Sequence, residues 1–346
     1  MSQWAPKPEG LTQSEGPVSE TSSAPQVNQA EEMESQGPVN SPGTPVRIPW
    51  WARLFPFCLS AFFFLSAFLV VFAPLPLIFL YVRKGRSLTW LAILTNSLIV
   101  GVLGGVVSLV FYLVWVATVA LVLPELLSRK KSVEVSVVGT LAVMAIAASL
   151  FAAGCFQIYH INPIHEIRNQ VSSFVDYLNQ SVSANPGLSN SGLMNPADMD
   201  DWKKSLFIEF PSAMAIFSLV IVWANLTLLL RANPNGIRER LGLSASYLKS
   251  WKSPQFLVWL AIASGFFLVV NLGVASDVAL NVFKFIMAVY AIQGLSVLSY
   301  FFDMWNIRGM FRLLGYSLSL FLMMPLVLSL GFFDLWFDFR GKFRQS

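Results

Sequence analysis

The chain has 346 residues, of which 55% are hydrophobic and only 12% charged, about half the roughly 25% charge usual in soluble domains. Mean hydropathy is +0.62, with 29 Phe and 11 Trp. So few charges cannot cover a soluble globule of this size, and ordinary soluble enzyme folds, collagen-like structure and disorder of the whole chain are excluded. What remains is an all-α, polytopic transmembrane helix bundle. The net charge of +4 is spread over short loops, which speaks against a nucleic-acid partner.

Residues 1–49 form a separate compositional unit. They hold eight of the 19 prolines, six glutamates and two basic residues, Lys7 and Arg47. This is an acidic, Pro-rich tail expected to be disordered, and it lacks the basic start and early apolar run of a signal peptide. Residues 50–343 form the transmembrane helical domain. Leu54–Val82 is apolar but interrupted by Pro74 and Pro76, which predicts one span plus a short or re-entrant piece. Leu88–Leu127, 40 residues long, would make a helix of about 60 Å and must be two spans. The turn is expected between Gly104 and Ser108. Val133–Gly154, Phe207–Leu230, Gln255–Val274, Val278–Phe301 and Leu313–Phe333 follow. The total is eight spans, or nine if the Pro74/Pro76 piece crosses. Ser97, Gly101 and Gly105, and again Ala145, Ser149 and Ala153, read as small-residue stripes for close helix packing.

The loops 83–86, 129–131 and 231–252 carry three, three and five basic residues and are expected on the cytoplasmic side. The 155–206 connection is net acidic and expected outside. On this count the C-terminal Arg340, Lys342 and Arg344 fall outside, against the charge rule. Within the outer connection, Asn162-Pro163 is a helix start, and Ile164, Ile167, Val171, Phe174, Val175, Leu178 and Val182 repeat at helical spacing. An amphipathic helix over 163–182 is predicted, followed by a Gly-, Pro-, Asn- and Ser-rich loop from Asn185. Cys58 and Cys155 have no CxxC spacing and read as small buried hydrophobes.

Chemistry-bearing residues are few. His160, His165 and Glu166 do not form a metal motif, since Pro163 breaks the helix between them; no metal site is expected. No P-loop, no G-x-S-x-G element and no pair of intramembrane carboxylates occurs, so no catalytic residues and no cofactor are assigned, and the chain does not read as an enzyme. The principal candidate is an intramembrane polar stripe of Asp277, Asn281 and Lys284, which fall on one helix face. A lysine within a span costs roughly 2.5–3.5 kcal/mol at its centre, so Lys284 either lines a polar cavity or snorkels outward toward Asp277. Asn225, Gln293 and Asn96 are secondary candidates, as substrate contacts or as interhelical glue.

The order of several short segments resembles a known family. Pro74-Leu-Pro76-Leu-Ile precedes a basic loop ending near Gly85. Trp223-Ala-Asn225-Leu and Trp251-Lys-Ser-Pro254 follow, then Tyr290-Ala-Ile-Gln293-Gly294-Leu-Ser-Val. The chain closes on Gly331-Phe-Phe-Asp334-Leu-Trp336-Phe-Asp338-Phe-Arg340. Over roughly residues 54–343 the chain resembles the YybS-like family of bacterial membrane proteins. The front half of that family is similar to the substrate-binding subunits of energy-coupling-factor vitamin transporters. The resemblance implies a multi-pass protein of the cell inner membrane that takes up a small molecule, with energy from a separate ATPase subunit. The alternative is a non-transporting scaffold that organises an envelope protein complex. In either case the lipid bilayer is a partner.

Overall fold

The chain divides into two units, Met1–Ile48 and Pro49–Ser346. A computed structural model describes residues 50–160, 162–184, 199–232, 241, 243 and 245–342. The expectations for the 1–49 tail and the loop after Asn185 lie outside these residues. Every regular element among them is helical. In order they are α1 (Trp50–Leu65), a 3-10 turn (Val70–Phe72), α2 (Pro74–Lys84) and α3 (Arg86–Phe111). A π-helical turn (Tyr112–Ala117) leads into α4 (Thr118–Ser128), α5 (Val133–Tyr159), α6 (Pro163–Ser183) and α7 (Met199–Ala232). The rest are α8 (Ala245–Ser250), α9 (Phe256–Val270), α10 (Val274–Met304), α11 (Gly309–Phe321), α12 (Met324–Phe337) and α13 (Phe339–Lys342).

Four helical stretches among the described residues are long and apolar enough to cross a bilayer: Arg86–Ser128, Val133–Ile158, Met199–Ala232 and Val274–Met304. The pair α11 and α12, bent by 93°, would together make a fifth. This is fewer than the eight or nine spans expected from apolar runs. The difference arises because an apolar run is not always a straight crossing. At 11 and 15 residues, α2 and α9 reach only about 16 and 22 Å, short of a core of about 30 Å. The outward surface is apolar throughout: Leu98 and Val102 on α3, Ile146 and Leu150 on α5, Trp259 and Phe266 on α9, and Phe311 and Phe321 on α11 are all exposed. A water-soluble monomer does not carry so extensive an apolar surface; a protein dissolved in lipid does.

Glycine decides the course of the long Arg86–Ser128 stretch. Gly105 has φ 77° and ψ 179°, a conformation open to a residue without Cβ, and it lies within the turn expected at Gly104–Ser108. The two arms close on each other there, so that a Cβ at Gly101 would sit 3.6 Å from Leu109 Cδ2. Further down, neighbouring residues of α1 touch both arms. The Ala61 N–H donates to Asn96 Oδ1 at 2.9 Å, and the Ser60 and Tyr112 hydroxyls are 3.0 Å apart. In a straight helix Asn96 and Tyr112 would be about 24 Å apart.

Three basic loops share one end of the bundle. The Tyr81 hydroxyl donates to Glu125, which brings residues 83–86 beside 129–131. Glu134 accepts from Trp251 Nε1 at 2.8 Å and from the Tyr247 hydroxyl at 3.3 Å, which adds the α8 segment with Lys249 and Lys252. The last part of the chain then corrects the sequence expectation. Lys249 Nζ pairs with Asp303 at 2.5 Å, just before α11, and the Lys249 carbonyl accepts from Arg340 Nη1 at 2.7 Å, just after α12. The α11–α12 segment thus leaves and returns to the same residue. Leu313–Phe333 is not one straight helix but a pair bent by 93°, and Arg340 lies at the basic end beside Lys249 rather than opposite it. Pro325, in the first turn of α12, cannot continue the hydrogen-bond ladder of α11. Lys252 Nζ, 2.7 Å from Asp338, holds that carboxyl below its ordinary range. A depressed carboxyl contributes stability at neutral pH that is lost progressively as pH falls from the ordinary carboxylate range through the lowered value.

Two smaller expectations also change. Ala145, Ser149 and Ala153 face outward and pack no helix. Cys58 is exposed, and Cys155 is only partly buried.

Candidate functional site

At the end away from the basic loops, α6 lies along the first turns of α7. Asn162 caps it, its Oδ1 accepting from the Ile164 and His165 N–H groups, with Pro163 at the first position. Lys203 pairs with Asp176 at 2.7 Å, and the Arg168 guanidinium sits 4.8 Å from the Phe207 ring centre. Val175 is buried, while Glu166, Arg168 and Asp176 are exposed, as an amphipathic helix requires.

The principal site is built on a break in α7. Pro211 lies inside this helix; it has no N–H and its ring crowds the carbonyl four residues back. Such a break leaves neighbouring backbone groups in need of partners. Ser212 N–H and Ile208 C=O are the two groups that a regular turn would join. Asn281 of α10 serves both: its Oδ1 accepts from Ser212 N at 2.8 Å and its Nδ2 donates to Ile208 O at 2.8 Å. The Asn281 amide also donates to Asp277 O at 2.8 Å. Asn281 therefore splices the gap in the hydrogen-bond ladder at Pro211 to α10. Asn281→Leu is expected to lower stability by about 1–2 kcal/mol, read as a melting shift in detergent. An unchanged melting point would show that the splice contributes nothing.

Glu209, two residues before Pro211, faces α10. Lys284 Nζ lies 2.5 Å from Glu209 Oε2, with both side chains about one-third exposed, at 35% and 33%. The Ser205 hydroxyl donates to the other Glu209 oxygen at 3.2 Å. Lys284 does not turn to Asp277; it takes its counter-ion from another helix. Of the expected stripe, Asn281 and Lys284 meet α7, while the Asp277 side chain joins neither. Glu209 was missed in the sequence, although a carboxylate inside an apolar run and two residues from a proline was a usable signal. Both residues stand ten positions into their helices, about 15 Å along each from its start.

Around the pair is a cavity of about 810 Å³ between α6, α7, α10 and the Gly105 turn. Its walls include Phe111, Phe174, Phe210 and Ile216, and its polar residues are Glu166, Gln170, Glu209, Ser212 and Lys284. Asn96, Asn225 and Gln293 are not in it. All three are fully buried and bonded to protein. Asn96 holds α1 through Ala61, and Asn225 Nδ2 donates to Val71 O and Ile221 O, both at 2.7 Å. Gln293 accepts from Ser253 N at 3.0 Å and donates to Asp334 at 3.2 Å. Among the described residues no cluster of three or more His, Cys, Asp or Glu side chains could hold a metal ion.

A multi-pass helical membrane protein with an ion pair inside its bundle is the class that this fold and site define. The family model described as "Predicted membrane protein (DUF2232)" matches residues 54–335, and the chain belongs to that family. No curated protein and no solved structure matches it.

Proposed function

We propose that the chain is a small-molecule-binding component of the cell inner membrane, transporter-like and without an ATPase of its own. In this reading the basic end is cytoplasmic. The folded-back Arg86–Ser128 stretch makes two passes, and the YybS-like and energy-coupling-factor resemblance describes its closest functional class. The protein acts by binding rather than by catalysis. The observation that carries the reading is the Lys284–Glu209 pair facing a cavity of about 810 Å³. Ionisable residues within a membrane bundle are costly and mark substrate pathways. The volume falls in the range of small-molecule sites, about 300–1,000 Å³. Aromatic and aliphatic walls with one cation, Lys284, and two carboxylates, Glu166 and Glu209, suit a largely apolar ligand that carries an amine or a carboxylate and exchanges with one partner of the pair.

The test is purification in mild detergent with mass spectrometry of retained small molecules and proteins. Wild type is expected to retain a discrete ligand, and Lys284→Met to retain it on the order of tenfold less, as for a lost charge-assisted hydrogen bond. Asp277→Ala, outside the pair, should keep it. Equal retention in wild type and Lys284→Met would reject this site. A co-purifying ATPase would support uptake, and structural envelope proteins alone would support the scaffold instead.

A further inference from the structure

A second cavity, of about 610 Å³, opens at the basic end between α7, α8, α10 and α11. Its three charged wall residues are all cations: Arg231, Lys249 and Arg312. The nearby anion is Asp303, 2.5 Å from Lys249 and 2.6 Å from Arg312. One carboxylate cannot neutralise three cations, and Arg231 forms no ion pair among the described residues. Arg312 Nε is buried without a hydrogen-bond partner. Arg312 Nη2 donates to the Ser299 and Tyr316 hydroxyls at 2.7 and 3.3 Å, and the Thr227 hydroxyl stands on the same wall. Among the described residues the site is thus short of negative charge, and Arg312 Nε lacks an acceptor.

The remaining walls are apolar and include Trp223, Leu228, Ile292 and Leu295. The flanking helix α11 exposes Met310, Phe311 and Leu313, so the cavity sits beside lipid. We infer that it binds the phosphate headgroup of an anionic phospholipid, with an acyl chain against the apolar wall. A basic pocket between membrane helices on the cytoplasmic side is where such headgroups are held. The cavity is distinct from that of Lys284 and does not rest on the function proposed for it.

The experiment is native mass spectrometry of the full chain in detergent, titrated with phosphatidylglycerol, phosphatidylcholine or inorganic phosphate. Phosphatidylglycerol is expected to bind in preference to phosphatidylcholine, and Arg312→Gln and Arg231→Gln each to weaken it about fivefold. Arg231 is exposed, which keeps the test valid if Arg312→Gln fails to fold. Arg83→Gln removes the same charge at the same end, outside the cavity, and should leave binding within twofold. Equal binding of the two lipids, or no loss in Arg231→Gln, would overturn the inference. Displacement of phosphatidylglycerol by millimolar inorganic phosphate would also overturn it, by assigning the site to a soluble anion.

Discussion

Arg340→Met is expected to lower the stability of the bundle by about 3–5 kcal/mol, because it strands a buried carboxylate. Arg340 Nη2 lies 2.6 Å from Asp334 Oδ2, with side-chain exposures of only 7% and 0%. The same guanidinium donates to the Lys249 and Trp251 carbonyls at 2.7 and 3.0 Å. Gln293 bonds the shared Asp334 oxygen and extends the network to Ser253. The measurement is thermal unfolding in detergent. The double variant Asp334→Leu with Arg340→Met is expected to recover part of the loss, since no unpaired charge remains. Recovery stays partial because the two α8-end carbonyls lose their donor. A single variant as stable as wild type would remove this network from the account of the fold.

Gly331→Ala and Gly294→Ala are each expected to cost about 3 kcal/mol or more, at or beyond the upper end of ordinary overpacking. These glycines mark the crossing of α10 and α12. A Cβ at Gly331 would overlap the Tyr290 carbonyl oxygen and stand 2.8 Å from Gly294 N. One at Gly294 would overlap the Val327 carbonyl oxygen and come within 2.9 Å of its carbon. These obstacles are backbone, so no side chain can turn aside and the helices must separate. Gly265→Ala is the contrast: its Cβ would meet only Phe283 Cε2, at 3.8 Å, and alanine favours a helix over glycine. It should melt at or slightly above wild type. Equal behaviour of the three variants would mean that the α10–α12 crossing is not closely packed.

The two predictions concern segments that stood out in the sequence by order alone. Gln293-Gly294 and the Gly331 to Arg340 segment are separated along the chain, yet they meet through a glycine crossing and a buried ion pair. The sequence marked Gly294 only as part of a motif, and placed its close-packing stripes at Ser97, Gly101 and Gly105 and at Ala145, Ser149 and Ala153, the second of which is exposed. Small residues at every fourth position permit close approach; they do not say which helix approaches. Lys284 shows the same limit. Its cost in lipid was readable from its position, but its counter-ion was sought two turns away on its own helix. Glu209 reaches it because α7 packs on α10 where Asn281 bonds the backbone on both sides of Pro211.

The sequence by itself determined the solvent and the local structure. Transfer free energy, helical periodicity and capping belong to single residues and their near neighbours. They suffice for a lipid-dissolved helical protein, basic loops gathered at one end, the Asn162–Pro163 start of α6 and the turn near Gly104–Ser108. Tertiary structure decided where the apolar runs bend, which residues Arg340 meets and which charge meets Lys284. Those outcomes depend on helix bends and on the angle and register between helices. They follow from proline breaks, backbone contact at glycines and the need of each buried polar group for a partner, none of which one helix can satisfy alone.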